Sequence, residues 1–443
     1  MKAVKAGWLV CAYNDIKKDY GLIIEGDIIK QILSNQEIDQ MIVEHLLLNE
    51  EVLDKQNAIV LPGFVNAHMH QYGLLSHGIQ MVGKVVDFDS FLSNYWWPFI
   101  ENRIYKAQVL ATAKASMAEM LHSGITAFCD TLEAPFTEPD TLIEQGKLIE
   151  SVGMRAIVSL ESSERVSLEN GERCLQQNGQ AVDYFHKRNG LVKAAICTHT
   201  TFTCSDDFIK KAATLAMSKD AIFQFHLSES RYEPEKLMEK RKQKPVHLYN
   251  KLGAFPKKTI ASQCVKVDDE EIGVIQLRGV NVVHMPISNC EVGGGIAPIP
   301  RMRKQGIKVS LGTDGYINDF FLVMKEAFLI HKAYEESTKV MPASEVFRMA
   351  TEYGAEAMGL KDCGLLMAGY QADFVVYEEK FPTPLTKENI VEQLVVFGDS
   401  HCVSDVFVRG KGLMQNGVIV TFDETKALNE MKDCANDFWK GVQ

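Results

Sequence analysis

Between about residues 63 and 363, strand-like apolar runs alternate with helix-like amphipathic stretches, and few folds satisfy that pattern. Eight candidate strands fall there: Phe64–His70, Thr126–Thr131, Arg155–Glu161, Lys193–His199, Ile222–Ser228, Thr259–Gln263, Asn281–Met285 and Lys308–Asp314. Amphipathic segments such as Ala107–His122 and Asp319–Tyr334 lie between or after them. Eight strands with helices in between predict an α/β fold, a (β/α)8 TIM barrel whose chemistry sits at the C-terminal strand ends. The chain has 443 residues, more than the roughly 250 that such a barrel needs. A second module is therefore expected.

Short strand-like segments supply it at both ends: Trp8–Val10, Tyr20–Ile24 and Asp27–Ile32, then Ala372–Tyr377, Val403–Val408 and Leu413–Ile419. They predict one composite β-sandwich from residues 1–62 and 364–420, flanking a barrel over 63–363. Apolar residues at helical spacing from Asp423 to Val442 predict a helix packed on the outside, within residues 421–443. A net charge of −11 argues against nucleic acid and anionic membranes as partners. No run approaches the ~18–20 apolar residues of a membrane span. The opening Met1-Lys2-Ala3-Val4-Lys5 leads into amphipathic alternation, so a cytoplasmic location is expected. The ten cysteines are scattered without a C-x-x-C pair, which suits reduced, buried thiols. Cys264 and Cys290, beside the stretches considered next, are kept as weak exceptions.

The strand ends carry the chemistry. His68 and His70 end the first candidate strand, and residues at i and i+2 share a face of a strand. The fourth ends at His199, the fifth reaches His226, and the eighth ends at Asp314 in Leu311-Gly312-Thr313-Asp314-Gly315. Three imidazoles and a carboxylate make a donor set suited to Zn²⁺ or another divalent ion, with room for water. The alternative is that His226 and Asp314 are hydrogen-bonded strand termini. Glu229, three residues past His226, is placed to take a proton from an activated water and pass it to a leaving group. Equally, it can be a solvated residue after a strand.

These residues sit in an ordered series that resembles the amidohydrolase superfamily over nearly the whole chain. The series runs from Pro62-Gly63-Phe64-Val65-Asn66-Ala67-His68-Met69-His70 through Ser123-Gly124-Ile125-Thr126 to His199 with Phe202-Thr203-Cys204-Ser205. It continues with His226-Leu227-Ser228-Glu229-Ser230, Glu233, Ser288-Asn289, Gly295-Ile296-Ala297-Pro298, Leu311–Gly315 and Gly369–Phe374. Within that superfamily it is similar to the aminohydrolase branch of guanine deaminase, methylthioadenosine/S-adenosylhomocysteine deaminase, triazine hydrolases and SsnA-like members. The resemblance implies a distorted barrel with a flanking sandwich and one metal, Zn²⁺ or Fe²⁺, on His68, His70, His226 and Asp314. Asp314 would also hydrogen-bond the attacking hydroxide, Glu229 would shuttle protons, and His199 would contact substrate. Binuclear members use a carboxylated lysine at the end of strand four; here Lys193 lies at its start, which favours one metal.

One departure stands out. Where relatives carry a histidine after strand six, this chain reads Ala261-Ser262-Gln263-Cys264. Glutamine can hydrogen-bond water or substrate but cannot take up a proton. His284, ending strand seven, reads as a hydrogen-bonded residue rather than a substitute. His77, Trp96 and Trp97 are candidate substrate contacts, the tryptophans by stacking on a planar ring; a solvated loop for His77 and core packing for the tryptophans are the alternatives. Gly293-Gly294-Gly295 permits a tight loop and is no phosphate-binding fingerprint. The expected function is metal-dependent hydrolysis of a non-peptide C–N bond, deamination of a small-molecule heterocycle such as a purine, pterin or triazine. Dechlorination, amide or cyclic-amide hydrolysis, or a metal-binding barrel without turnover at Gln263, are the alternatives. A homo-oligomer is left open by analogy with relatives.

Overall fold

The computed structural model describes residues 1–80, 84–315 and 317–440. Both chain ends contribute to one mixed sheet of nine strands. Lys2–Ala12 pairs antiparallel with Asp15–Lys18 and Tyr20–Glu25, and parallel with Val52–Pro62. Val52–Pro62 then pairs antiparallel with Phe374–Glu378, which joins the N-terminal strands to Val403–Val408, Lys411–Gln415 and Val418–Ile419. Sequence reading did not single out Val52–Pro62. Its first half mixes polar, half-buried and exposed residues, and only Ala58–Pro62 is fully buried.

The central barrel has eight parallel strands: β1 (Phe64–Met69), β2 (Ile125–Leu132), β3 (Arg155–Leu160), β4 (Val192–Ala194 with Ile196–Cys197), β5 (Phe223–Leu227), β6 (Thr259–Gln263), β7 (Asn281–His284) and β8 (Val309–Leu311). The break in β4 is a change of partner, since Val192–Ala194 pairs with β3 and Ile196–Cys197 with β5. A parallel bridge between Met69 and Asp314 closes β1 on β8. Asn66 fastens that closure: its amide donates to Thr313 Oγ1 at 2.8 Å and its carbonyl accepts from Thr313 N at 3.1 Å. Gly312 permits the approach, because a Cβ there would lie 2.6 Å from the His68 carbonyl oxygen.

A register shift against β2 between Asn66 and Met69 marks a bulge in β1. Val65 and Ala67 pack in the barrel interior with Ala127, Cys129, Ile157 and Ile260. Past the bulge the inward positions become His68 and His70. The short helix Glu352–Ala357 contributes Ala355 and Ala357 to the same interior cluster and plugs one end of the barrel. At the outer surface Glu424–Trp439 packs on Lys106–His122, with Trp439 Nε1 donating to the Leu75 carbonyl at 2.7 Å. The expected helical residues past 440 lie outside the described residues.

Barrel and terminal sheet are tied by a buried ion pair. Arg155, at the start of β3, meets Asp373 Oδ2 at 2.9–3.0 Å, and Asp373 Oδ1 accepts from Arg409 N at 2.7 Å. Removing one partner strands a buried charge, so Asp373→Ala is expected to destabilise the fold by about 3–5 kcal/mol in chemical denaturation. A change under about 1 kcal/mol would contradict this account.

Candidate active site

Three histidine nitrogens converge at the C-terminal mouth of the barrel. His70 Nε2 lies 3.2 Å from His68 Nε2 and 3.4 Å from His226 Nε2. Asp314 Oδ1 closes the set at 2.9 Å from His70 Nε2 and 3.6 Å from His68 Nε2. A tetrahedron with metal–nitrogen bonds of about 2.0–2.1 Å has edges of about 3.3–3.4 Å, close to the two histidine–histidine separations. Burial holds His68 and His226 below the usual histidine range, in the neutral form that a metal takes. The outer nitrogens are held in part: His70 Nδ1 donates to the Thr131 carbonyl at 2.7 Å, and His68 Nδ1 meets the Ser262 hydroxyl at 2.9 Å. Without a metal the site still calls for positive charge. Burial alone would lower His70, but Glu133 and Asp314 overcome it and push the imidazole up to about 10. The donor set fits a divalent metal.

Asp314, Gln263 and Ser228 all have positive φ, of 60°, 76° and 50°, at the ends of β8, β6 and β5. Such backbone is uncommon outside glycine and clusters at functional sites. Gln263 Nε2 donates to Asp314 Oδ2 at 2.8 Å, and the Ser288 hydroxyl donates to the same oxygen at 2.6 Å. Gln263 Oε1 is buried without a partner. Burial opposes ionisation of Asp314, yet hydrogen bonds from His68 and His70 hold its carboxyl well below the usual range. Glu229 behaves in the opposite way. Burial pushes its carboxyl well above the usual range, and Asp314 and Glu133 add to the rise.

A cavity of about 520 Å³ opens over these groups. Glu229, Gln263, Asp314, His199, His77 and Trp96 line it. Trp96 stacks on Phe91 with ring centroids 5.4 Å apart, and its indole donates to Tyr72 Oη at 3.2 Å. Trp97 is not among the lining residues. Its ring lies under the Arg165 guanidinium at 4.8 Å and meets His199 edge-on. His77 is exposed at the rim and bonds the Gly315 carbonyl at 3.0 Å. His284 faces His331 at 3.0 Å, outside the cavity, and does not replace the strand-six histidine. Cys264 is buried and Cys290 exposed; neither lines the cavity.

Sequence reasoning missed Tyr72, Glu101, Glu133, Glu161 and Arg165. The strand-end rule that found His199 and His226 also reaches Glu133 and Glu161, since each directly follows β2 or β3. Glu101 is paired with Arg165 at 2.7 Å, and the Tyr72 hydroxyl donates to Glu133. Glu233, also buried, accepts from Thr201 N at 2.9 Å and Ser228 N at 2.5 Å, tying the loops after β4 and β5 together.

Known proteins carry the same frame. Residues 59–413 match the profile of the Amidohydrolase family. A 5-methylthioadenosine/S-adenosylhomocysteine deaminase of Dictyoglomus turgidum is 29% identical over 96% of each chain. A 5'-deoxyadenosine deaminase of Methanocaldococcus jannaschii is 31% identical, covering 94% of this chain and 96% of its own. Among solved structures, an adenosine deaminase from Xanthomonas campestris with bound zinc superposes with a TM-score of 0.88 at 22% identity, over 99% of this chain and 98% of that one. With the profile spanning most of the sequence, the protein belongs to the amidohydrolase family.

Proposed function

We propose that this protein hydrolytically deaminates an amino-substituted heterocycle of the purine class, with His68, His70, His226 and Asp314 holding one Zn²⁺. The observation that carries this reading is Glu229: a half-buried carboxyl that its surroundings push toward the protonated form, facing the same cavity as His70, His226 and Asp314. The adenosine-type substrates in the names of the relatives, and the zinc in the Xanthomonas protein, support the substrate class and the ion.

A bound divalent ion supplies Lewis acidity, lowering the pKa of water toward neutrality. The remaining work belongs to the chain. Asp314 is the base near the attacking water; Gln263 and Ser288 donate to its Oδ2 and leave Oδ1 toward the histidines. Glu229 donates its proton to the ring nitrogen beside the amino-bearing carbon. The water's oxygen adds to that carbon, Asp314 takes one water proton and passes it to the amine, the C–NH₂ bond breaks to release ammonia, and the second water proton returns to Glu229 as the oxygen becomes the product carbonyl. The Trp96 wall orients the ring. Gln263 thus contributes a donated hydrogen bond and no acid/base group, and proton transfer falls to Glu229 and Asp314.

The direct test is ammonia release from a panel of aminopurines and adenosine-type compounds. Glu229→Gln should lower the rate by about 10²–10⁴ while metal content stays constant; an equal rate in the variant would sink the assignment. Gln263→Glu replaces a donor by a second carboxylate against Asp314, and should weaken metal binding by about 10–100-fold in a chelator competition. Since metal-free His70 is pushed up to about 10, zinc loading at neutral pH displaces its proton. Calorimetry in buffers of different ionisation enthalpy should record that release, with affinity falling as pH falls.

A further inference from the structure

We propose that the barrel mouth binds a second divalent cation, held by Glu133, Glu161 and His199 beside the set His68, His70, His226 and Asp314. Deamination as read above needs only the first ion, so this site is additional to it.

Strands β2, β3 and β4 deliver the three ligands to the same end of the barrel. Ligand atoms of Glu133, Glu161, His199 and His226 all lie within 4.8 Å of one another. His199 Nε2 is 3.9 Å from Glu161 Oε2, and Glu133 Oε1 is 3.9 Å from His226 Nε2. Two ligands of one ion with bonds of about 2.0–2.2 Å stand at most about 4.0–4.4 Å apart, and the His199–Glu161 separation falls within that limit.

Partners around the cluster leave these atoms free. His199 Nδ1 is engaged by Thr203 Oγ1 at 2.8 Å, which turns Nε2 inward. Glu101 has Arg165 and one oxygen of Glu133 has Tyr72, but Glu161 Oε2 is buried with no hydrogen-bond partner. Glu161 as a whole is only 7% exposed. That oxygen also faces His226 Nδ1 at 4.0 Å, so it stands between the two sets. A buried carboxylate without a partner is costly, and a cation satisfies it. Two carboxylates and one imidazole suit Mn²⁺ or Zn²⁺. A carboxylated lysine on strand four is not required by this ligand set, so the position of Lys193 does not argue against it.

The test counts metal. The full chain is stripped with chelator and dialysed against Mn²⁺ or Zn²⁺ alone, and bound metal is measured by mass spectrometry. Two ions per chain are expected, falling to one in the double variant Glu133→Gln/Glu161→Gln, and to one in His68→Asn/His70→Asn. The two variants separate failure of this site from failure of the first. Crystals of the Mn²⁺-loaded wild type should show two anomalous peaks, a readout that needs no variant to fold. One ion per wild-type chain, a single peak at His68 and His70, or two ions retained in the glutamine variant would overturn the proposal.

Discussion

Closure of the barrel between β1 and β8 is the contact on which the site depends. Asn66 and Thr313, separated by 247 residues, exchange two hydrogen bonds, and the neighbouring Met69–Asp314 bridge extends the seam. That seam brings the His68–His70 pair to the carboxylate at the other end of the barrel sequence. The bulge in β1 then decides which side chains look inward. A strand without it would keep the alternation of Val65 and Ala67 and turn both imidazoles away.

Charge is the second organising constraint. Glu101, Glu133, Glu161 and Asp314 are buried at or beside one cavity mouth, with Glu229 half-buried there and Arg165 a half-buried counter-charge to Glu101. A low-dielectric environment makes such a set costly unless protons or cations share it. The different carboxyls respond differently. Without a cation, burial and the neighbouring carboxylates push Glu161 and Glu229 up, whereas neighbouring histidines overcome burial and hold Glu133 and Asp314 below the usual range. Environment separates chemically equal groups into donors and acceptors.

Much of this was legible in the sequence because strand ends are local features. The reading of β6 as Thr259–Gln263 matches the structure, and β1, β3 and β5 differ by at most one residue at each end. The structure brings His68, His70, His226 and Asp314, all read from strand ends, to one mouth of the barrel. Other parts were hidden for physical reasons. The bridging strand Val52–Pro62 is half polar because one end lies open to solvent. Trp97 and Trp96 are adjacent in sequence but point to different surroundings, and only the course of their helical segment decides which one reaches the cavity. The pairing of Glu101 with Arg165 joins residues from separate loops and leaves no spacing pattern to detect.

The aromatic wall comes from outside the barrel. Leu92–Trp96 forms a π-helical turn, a geometry with one more residue per hydrogen-bonded turn than the α-helix, found often at functional sites. None of its residues belongs to a strand that carries a metal-site histidine. Insertions or replacements there can reshape the rim without moving the hydrolytic groups beneath. In evolutionary terms, the segment lets substrate range diversify on an inherited reaction centre, and laboratory selection for new substrates has its natural starting point in residues 88–99.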